Sequence, residues 1–350
     1  MKHTRLLISV LLGVTFATAA SASQGGDGDE AVGRVHRLAP QLDGLIAPDA
    51  RIERLTEDRF TWSEGPVWVP AGDYVLFSDV PEDTMWRWSK ADGLAVFLQP
   101  SALDDGLPRD PGGQGSNGLM LALDGALLAA DHGSRSLITV DLDSRARAKL
   151  AGRYAGKRFN SPNDLTISRT RWPGTLFFTD PPYGLQGEDA SPLKELAFNG
   201  VYRLDGDGTV SLLDASLARP NGIALTPDER TLIVANSQRE RAAWYAFDLD
   251  AAGDVAGGPR LFASAQDRSD AGAPGLPDGM AMDVAGNLWA TGPGGVLVFD
   301  PQGQLLGVIE TGSAVANCAF GGADGSVLYM TSHRFLARVQ TLTRGIEFRE

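Results

Sequence analysis

The sequence predicts an all-β fold, a six-bladed β-propeller, and three observations lead there. One pattern occurs six times: a polar residue, an apolar strand, a turn, a second apolar strand and another small polar residue. The copies begin at Glu64, Asn117, Asn163, Asn221, Asp278 and Asn317, with spacings of 53, 46, 58, 57 and 39 residues. This is close to the period of roughly 40–50 residues that marks propeller repeats. Copies run on into two further strands, as at 85–98, 200–213, 244–262 and 296–309, and four strands make one blade. Turn dipeptides and Gly-rich breaks recur, and no long amphipathic helix interrupts them.

Along the chain, the first stretch stands apart. Lys2, His3 and Arg5 form a basic lead, Leu6 to Ala20 is a short apolar run, and Ala20-Ser21-Ala22 is a small-residue cleavage site. That is the pattern of a secretory signal peptide over residues 1–22. The run is shorter than the ~18 residues that read as a membrane span. Cleavage would start the mature chain near Ser23 and deliver it to the periplasm or outside the cell. Residues 23–50 read as a flexible leader, Gly- and acid-rich from Gln24 to Val35, with one short helix between Leu38 and Ile46. The propeller domain is expected over 51–350. Its sixth copy runs short after the strand at 335–341, and Arg51 to Leu55 is the expected source of the missing outer strand. That pairing would tie the two ends of the chain together.

Composition removes several function classes. There are 44 Asp and Glu against 31 Lys and Arg, a net charge of −13. An acidic surface argues against nucleic acid and anionic membranes as partners and favours cations. Cys318 is the single cysteine, so no intrachain disulfide forms. Its place in an apolar strand reads as a small buried hydrophobe, not a catalytic thiol. Gly113 to Gly118 matches G-x-G-x-x-G, but a Pro-rich loop precedes it and a strand follows it, the wrong context for a dinucleotide site. Ser191 to Lys194 matches S-x-x-K without its companion motifs.

In a hairpin, the start of the first strand and the end of the second are neighbours. The repeats therefore define two rings at one face of a central channel. One ring holds Glu64, Asn117, Asn163, Asn221, Asp278 and Asn317. The other holds Asp79, Asp131 with His132, Asp180, Asn236, Thr291, and Thr331 with His333. The first ring carries two carboxylates and no Lys or Arg. Like charges in a narrow channel raise each other's pKa unless a cation lies between them. Hard oxygen donors suit Ca²⁺ or Mg²⁺, so the expectation is a propeller with a central metal-binding channel. Insertions at 103–116, 181–199 and 266–276 are expected on the same face, where loops of such length serve a site. His132 and His333 are expected at the channel mouth, and Tyr183 is expected to overhang it.

At these residues the chain resembles a known family. Trp62-Ser63-Glu64-Gly65-Pro66-Val67-Trp68 resembles the opening motif of the SMP-30/gluconolactonase family. Its bacterial gluconolactonase branch is resembled by Arg158-Phe159-Asn160-Ser161-Pro162-Asn163-Asp164 and Thr179-Asp180-Pro181-Pro182-Tyr183-Gly184, and by Phe198-Asn199-Gly200-Val201-Tyr202-Arg203. Pro220-Asn221-Gly222, Pro277-Asp278-Gly279-Met280 and Asn317-Cys318-Ala319-Phe320-Gly321-Gly322 complete the series. The resemblance runs from about Leu38 to Thr341.

The resemblance implies a six-bladed propeller holding one divalent cation, usually Ca²⁺, with Zn²⁺ or Mg²⁺ accepted by some members. It implies Glu64, Asn163, Asn221 and Asp278 as metal ligands, with Asp278 also the catalytic base. Asn117, His132, Arg158 and Tyr183 are the expected substrate contacts. The expected reaction is hydrolysis of a small-molecule sugar lactone to the aldonic acid. The alternatives are phosphotriester or other ester hydrolysis at the same metal, and a propeller that binds a sugar without turnover.

Overall fold

The computed structural model describes residues 30–349, apart from 112 and 113. The signal peptide read at 1–22 lies outside the described residues. Six antiparallel sheets surround one axis. Their innermost strands are Ser63–Val69, Ser116–Leu121, Leu165–Ile167, Pro220–Leu225, Met280–Met282 and Asn317–Gly321. Each packs against the next, and the last packs against the first. Blades one to four have four strands each in simple meander order.

Chain closure occurs in blade six. Ile52–Arg54 pairs antiparallel with the strand Phe335–Gln340, in the register Ile52 to Val339 and Arg54 to Ala337. The expected outer strand is therefore there, and both ends of the propeller share one sheet. The short helix expected between Leu38 and Ile46 is a 3-10 turn at Pro40–Gly44. The expected flexible leader differs from what is found. Arg34–Arg37 adds a fifth strand to blade five, pairing with Glu310 to Gly307. Glu30–Ala31 pairs with Glu53 and Arg54 at the edge of blade six. Gly and acidic residues suggested disorder, but the open edges of two blades offer backbone hydrogen bonds that composition does not register.

Apolar clusters fill the seams between blades, one for each adjacent pair. The second strands are buried on both faces, and the two-residue period of a strand splits them between seams. In blade three, Phe177 turns toward blade four while Leu176 and Phe178 turn toward blade two. At the closing seam, Trp68 of blade one stacks on Tyr329 of blade six, with 5.6 Å between ring centroids. Cys318 is buried with its thiol against the Trp289 carbonyl at 3.2 Å.

The described parts of all three insertions emerge at the face where the inner strands begin. At the opposite face, a cavity of about 420 Å³ rises along the channel. Its walls include Leu121, Ile223, Met282 and Phe320, its roof is Asp164 and Asn317, and Ile346 and Phe348 of the C-terminal segment cover part of it. Among the described residues, no helix is long and apolar enough to cross a membrane.

Ile52 is buried in the seam between blades five and six, whereas Val35 on the added strand of blade five is only partly buried. Ile52→Ala is expected to cost about 2–5 kcal/mol, and Val35→Ala about 1 kcal/mol or less. Urea unfolding midpoints of the two variants measure the difference. Equal losses would show that Ile52–Arg54 does not close the ring.

Candidate active site at the propeller hub

The start of each inner strand delivers one polar side chain to the axis. Glu64, Asn117, Asn163, Asn221 and Asn317 are buried there, and Asp278 is half-buried. The residue that follows is Gly65, Gly118, Gly222 and Gly279 in four blades, but Asp164 in blade three and Cys318 in blade six. Gly65 and Gly222 make room for the backbone of the next blade, and Gly118 and Gly279 for its side chains. A Cβ at Gly118 would fall 2.6 Å from Asp164 Oδ1, and one at Gly279 would fall 1.9 Å from Asn317 Cγ. A third carboxylate, Asp164, thus enters the hub. It lies one position past the repeated polar slot, where the break in the run of glycines marks it.

The three carboxyl groups act on one another. Burial pushes Glu64 up to about 7, against the hydrogen bonds from Trp62 Nε1 at 3.2 Å and the Gly65 N–H at 3.1 Å. Burial and the Glu64 charge push Asp164 up to about 8. Burial, then the charges of Glu64 and Asp164, hold Asp278 well above the usual carboxylate range. Hydrogen bonds from Asn221 and the Gly279 N–H offset part of this. The electrostatic expectation of two interacting carboxylates therefore holds, with a third added.

The amides divide into two kinds. Asn317 accepts the Cys318 N–H at 2.8 Å through Oδ1 and points Nδ2 at Asp164 Oδ2 at 3.5 Å. It is a donor to the carboxylates, not the oxygen donor its slot suggested. Asn221 donates through Nδ2 to Ser237 Oγ at 3.0 Å and also interacts with Asp278, which leaves Oδ1 free. The Asn163 side chain makes no hydrogen bond to another described residue, while its N–H is held by the Thr179 carbonyl at 2.9 Å. Among the described residues, no group of three or more His, Cys, Asp or Glu could hold a metal ion. The hub groups that could hold a cation are the carboxylates of Glu64 and Asp278 with the carboxamide oxygens of Asn163 and Asn221. That all-oxygen set fits a hard divalent cation.

His132 stands behind Asn117. Burial pushes its pKa down to about 3, so the ring carries a single proton. Nδ1 is 2.7 Å from Gln114 Oε1, and Nε2 is 3.4 Å from Asn117 Nδ2. The proton therefore sits on Nδ1, and Nε2 accepts from Asn117. Both ring nitrogens are engaged with the protein, and the expected substrate contact at His132 gives way to one that aims the Asn117 amide. Tyr183, in the insertion of blade three, lies beside Ser237 and within reach of the Asp278 charge. Burial foremost, then that charge, pushes its hydroxyl pKa upward.

Arg158 departs from expectation. Its guanidinium binds the backbone carbonyls of Ser134 at 3.1 Å and Pro108 at 3.4 Å, and it lines an outer cavity with Lys149 and Val210. A short ribbon, Arg153–Tyr154 with Lys157–Arg158, carries it outside the blades. The second ring also has another role. Asp79 accepts the Thr61 and Trp62 N–H groups, Asp131 that of Leu103, Asp180 those of Asn160 and Ser161, and Asn236 that of Arg219. These side chains fasten the connectors that deliver the first ring, and they do not face the axis as a second set of ligands.

A closed six-bladed ring with carboxylates and amides at its hub is the class of protein that this fold and site define. The profile of the SMP-30/gluconolactonase/LRE-like region matches residues 62–334, and the chain belongs to that family. It is 40% identical over 337 residues to a gluconolactonase of Zymomonas mobilis, covering 95% of this chain and 92% of that one. The solved structure of a gluconolactonase from Xanthomonas campestris superposes with a TM-score of 0.75 at 33% identity, over 89% of this chain and 97% of that one. A calcium-binding regucalcin from Agrobacterium tumefaciens shares the fold, with a TM-score of 0.63 at 21% identity, over 83% and 93% of the two chains.

Carboxylates must be ionised to hold a cation. With Glu64 at about 7 and Asp278 raised, protons compete into the neutral range. The Ca²⁺ affinity of chelator-stripped protein is expected to rise between about pH 6 and pH 8, by up to about tenfold per unit for each proton displaced. Calorimetry in buffers of different ionisation heat reads the proton release. An affinity flat across that range would contradict the assignment of these carboxyls to the cation.

Proposed function

We propose that the protein hydrolyses a sugar lactone of the gluconolactone type to the aldonic acid, at one divalent cation, Ca²⁺ first. It is a lactone hydrolase by its identity to the Zymomonas mobilis gluconolactonase. The observation that carries the mechanistic reading is the placement of Glu64 and Asp278 at the starts of inner strands of one ring, with the Glu64 charge acting on Asp278. Glu64, Asn163, Asn221 and Asp278 would hold the cation. When bound, it supplies Lewis-acid polarisation of the lactone carbonyl and stabilises the negative charge that develops on its oxygen.

The chain's own groups do the rest. Asp278, partly exposed and ionised once the cation is held, takes the proton of the attacking water as its oxygen bonds to the carbonyl carbon. The ring C–O bond then breaks, and the departing ring oxygen leaves as a hydroxyl with that proton. Asn117, aimed by His132, offers its carbonyl oxygen to a sugar hydroxyl, and Tyr183 offers its O–H. Trp62 and Asn317 keep Glu64 hydrogen-bonded while it carries charge. In this reading the residues 1–22 direct the enzyme out of the cytoplasm.

Asp278→Ala is expected to lower kcat on gluconolactone by about 100-fold or more, followed as acid release at constant pH. Chelation is expected to abolish activity, and Ca²⁺ to restore it. Full activity in Asp278→Ala would overturn the mechanism. Turnover of phosphotriesters in preference to aldonolactones would overturn the substrate class.

A further inference from the structure

In two blades the position just past the second strand acts on the inner-strand amide of the same blade. In blade two it is His132, which receives Asn117 Nδ2. In blade four it is Ser237, which receives Asn221 Nδ2 at 3.0 Å. We propose that Ser237 is the positioning residue of the hub, one that turns the Asn221 carbonyl oxygen toward the cation and ties the Tyr183 loop to the strand of Asp278. This rests on the reading of the hub given above.

Donor supply sets the orientation of the Asn221 amide. A serine hydroxyl has one proton and two acceptor lone pairs. Ser237 spends its proton on the carbonyl of Pro277, the residue before Asp278. Toward Asn221 it can then only accept, so the amide must present Nδ2 to Ser237. The Asn221 side chain also interacts with Asp278, and an ionised carboxylate can take only the amide nitrogen. With the amide nitrogen committed on that side, Oδ1 is the atom left for a ligand. Ser237 is itself buried, so water has little access to replace it. The Tyr183 hydroxyl interacts with the same Oγ. One hydroxyl therefore joins three pieces from different blades: the amide of Asn221 in blade four, the backbone before Asp278 in blade five, and the long insertion of blade three. An unfixed amide would be free to turn its N–H groups toward a cation, which repels them. Groups behind a metal ligand typically govern affinity in this way.

The test uses chelator-stripped full-length protein titrated with Ca²⁺ by calorimetry, alongside its melting temperature and the separate values of kcat and KM. Ser237→Ala is expected to weaken Ca²⁺ binding by about 10- to 100-fold, with the cation-free melting temperature close to that of the wild type. Ser237→Thr keeps the hydroxyl and is expected to restore binding. Should the Ala variant fail to fold, Ser237→Cys, a weaker donor of similar size, is expected to bind with intermediate affinity. Tyr183→Phe is expected to leave Ca²⁺ affinity unchanged and raise KM. Wild-type affinity in Ser237→Ala, or equal loss in the Ala and Thr variants, would overturn the role of Ser237 while leaving the hub intact. Absence of Ca²⁺ binding by the wild type itself would instead remove the reading of the hub.

Discussion

Glu64 and Asp278 repel each other at the centre of a ring that has no free edge to open. Six inner strands converge on the axis, and the register of each hairpin sends the residue at its start inward. Blade six holds strands from both ends of the propeller, so the ring cannot splay without exposing an apolar seam. The two charges can therefore be relieved only by protons, by nearby donors, or by a cation. The donors are few: Trp62 and Gly65 on Glu64, Asn221 and Gly279 on Asp278, and Asn317 reaching toward Glu64 and Asp164. Asp164 adds a third carboxyl, which burial and the Glu64 charge push up to about 8. Partial neutralisation by dipoles leaves the hub receptive to positive charge, and the chemistry of the site follows from that.

Polar residues in each blade have separate duties. Those ending the second strand, such as Asp79 and Asp180, accept backbone N–H groups of the incoming connector. Burial pushes Asp180 up to about 7, with the Asn160 and Ser161 N–H groups working against it. The next position, His132 or Ser237, orients an amide. The start of the inner strand faces the axis. The second strands that carry the first two kinds are packed on both faces, which makes them rigid supports for the third.

Much of this architecture is legible along the chain. Blade number, the hub positions of Glu64, Asn163, Asn221 and Asp278, and the strand that closes blade six all follow from a repeat with a two-residue alternation inside it. That alternation is local: the face on which a residue lies is decided by its neighbours in sequence. Even Asp164 is marked, as the carboxylate that replaces a glycine found in four sister repeats.

What a side chain meets on that face is another matter. Arg158 carries the right charge for a sugar contact, yet its ribbon takes it to the carbonyls of Ser134 and Pro108. Asn317 has the right oxygen, yet the Cys318 N–H claims it. His132 and Ser237 each depend on an amide fifteen or sixteen positions away or on groups from other blades. The sequence by itself determined the toroid and the residues that face its axis, because strand periodicity and repeat register are short-range properties. Only the tertiary structure decided which of those residues are free to bind and which are already bonded, because hydrogen-bond partners at the hub are brought together from different blades.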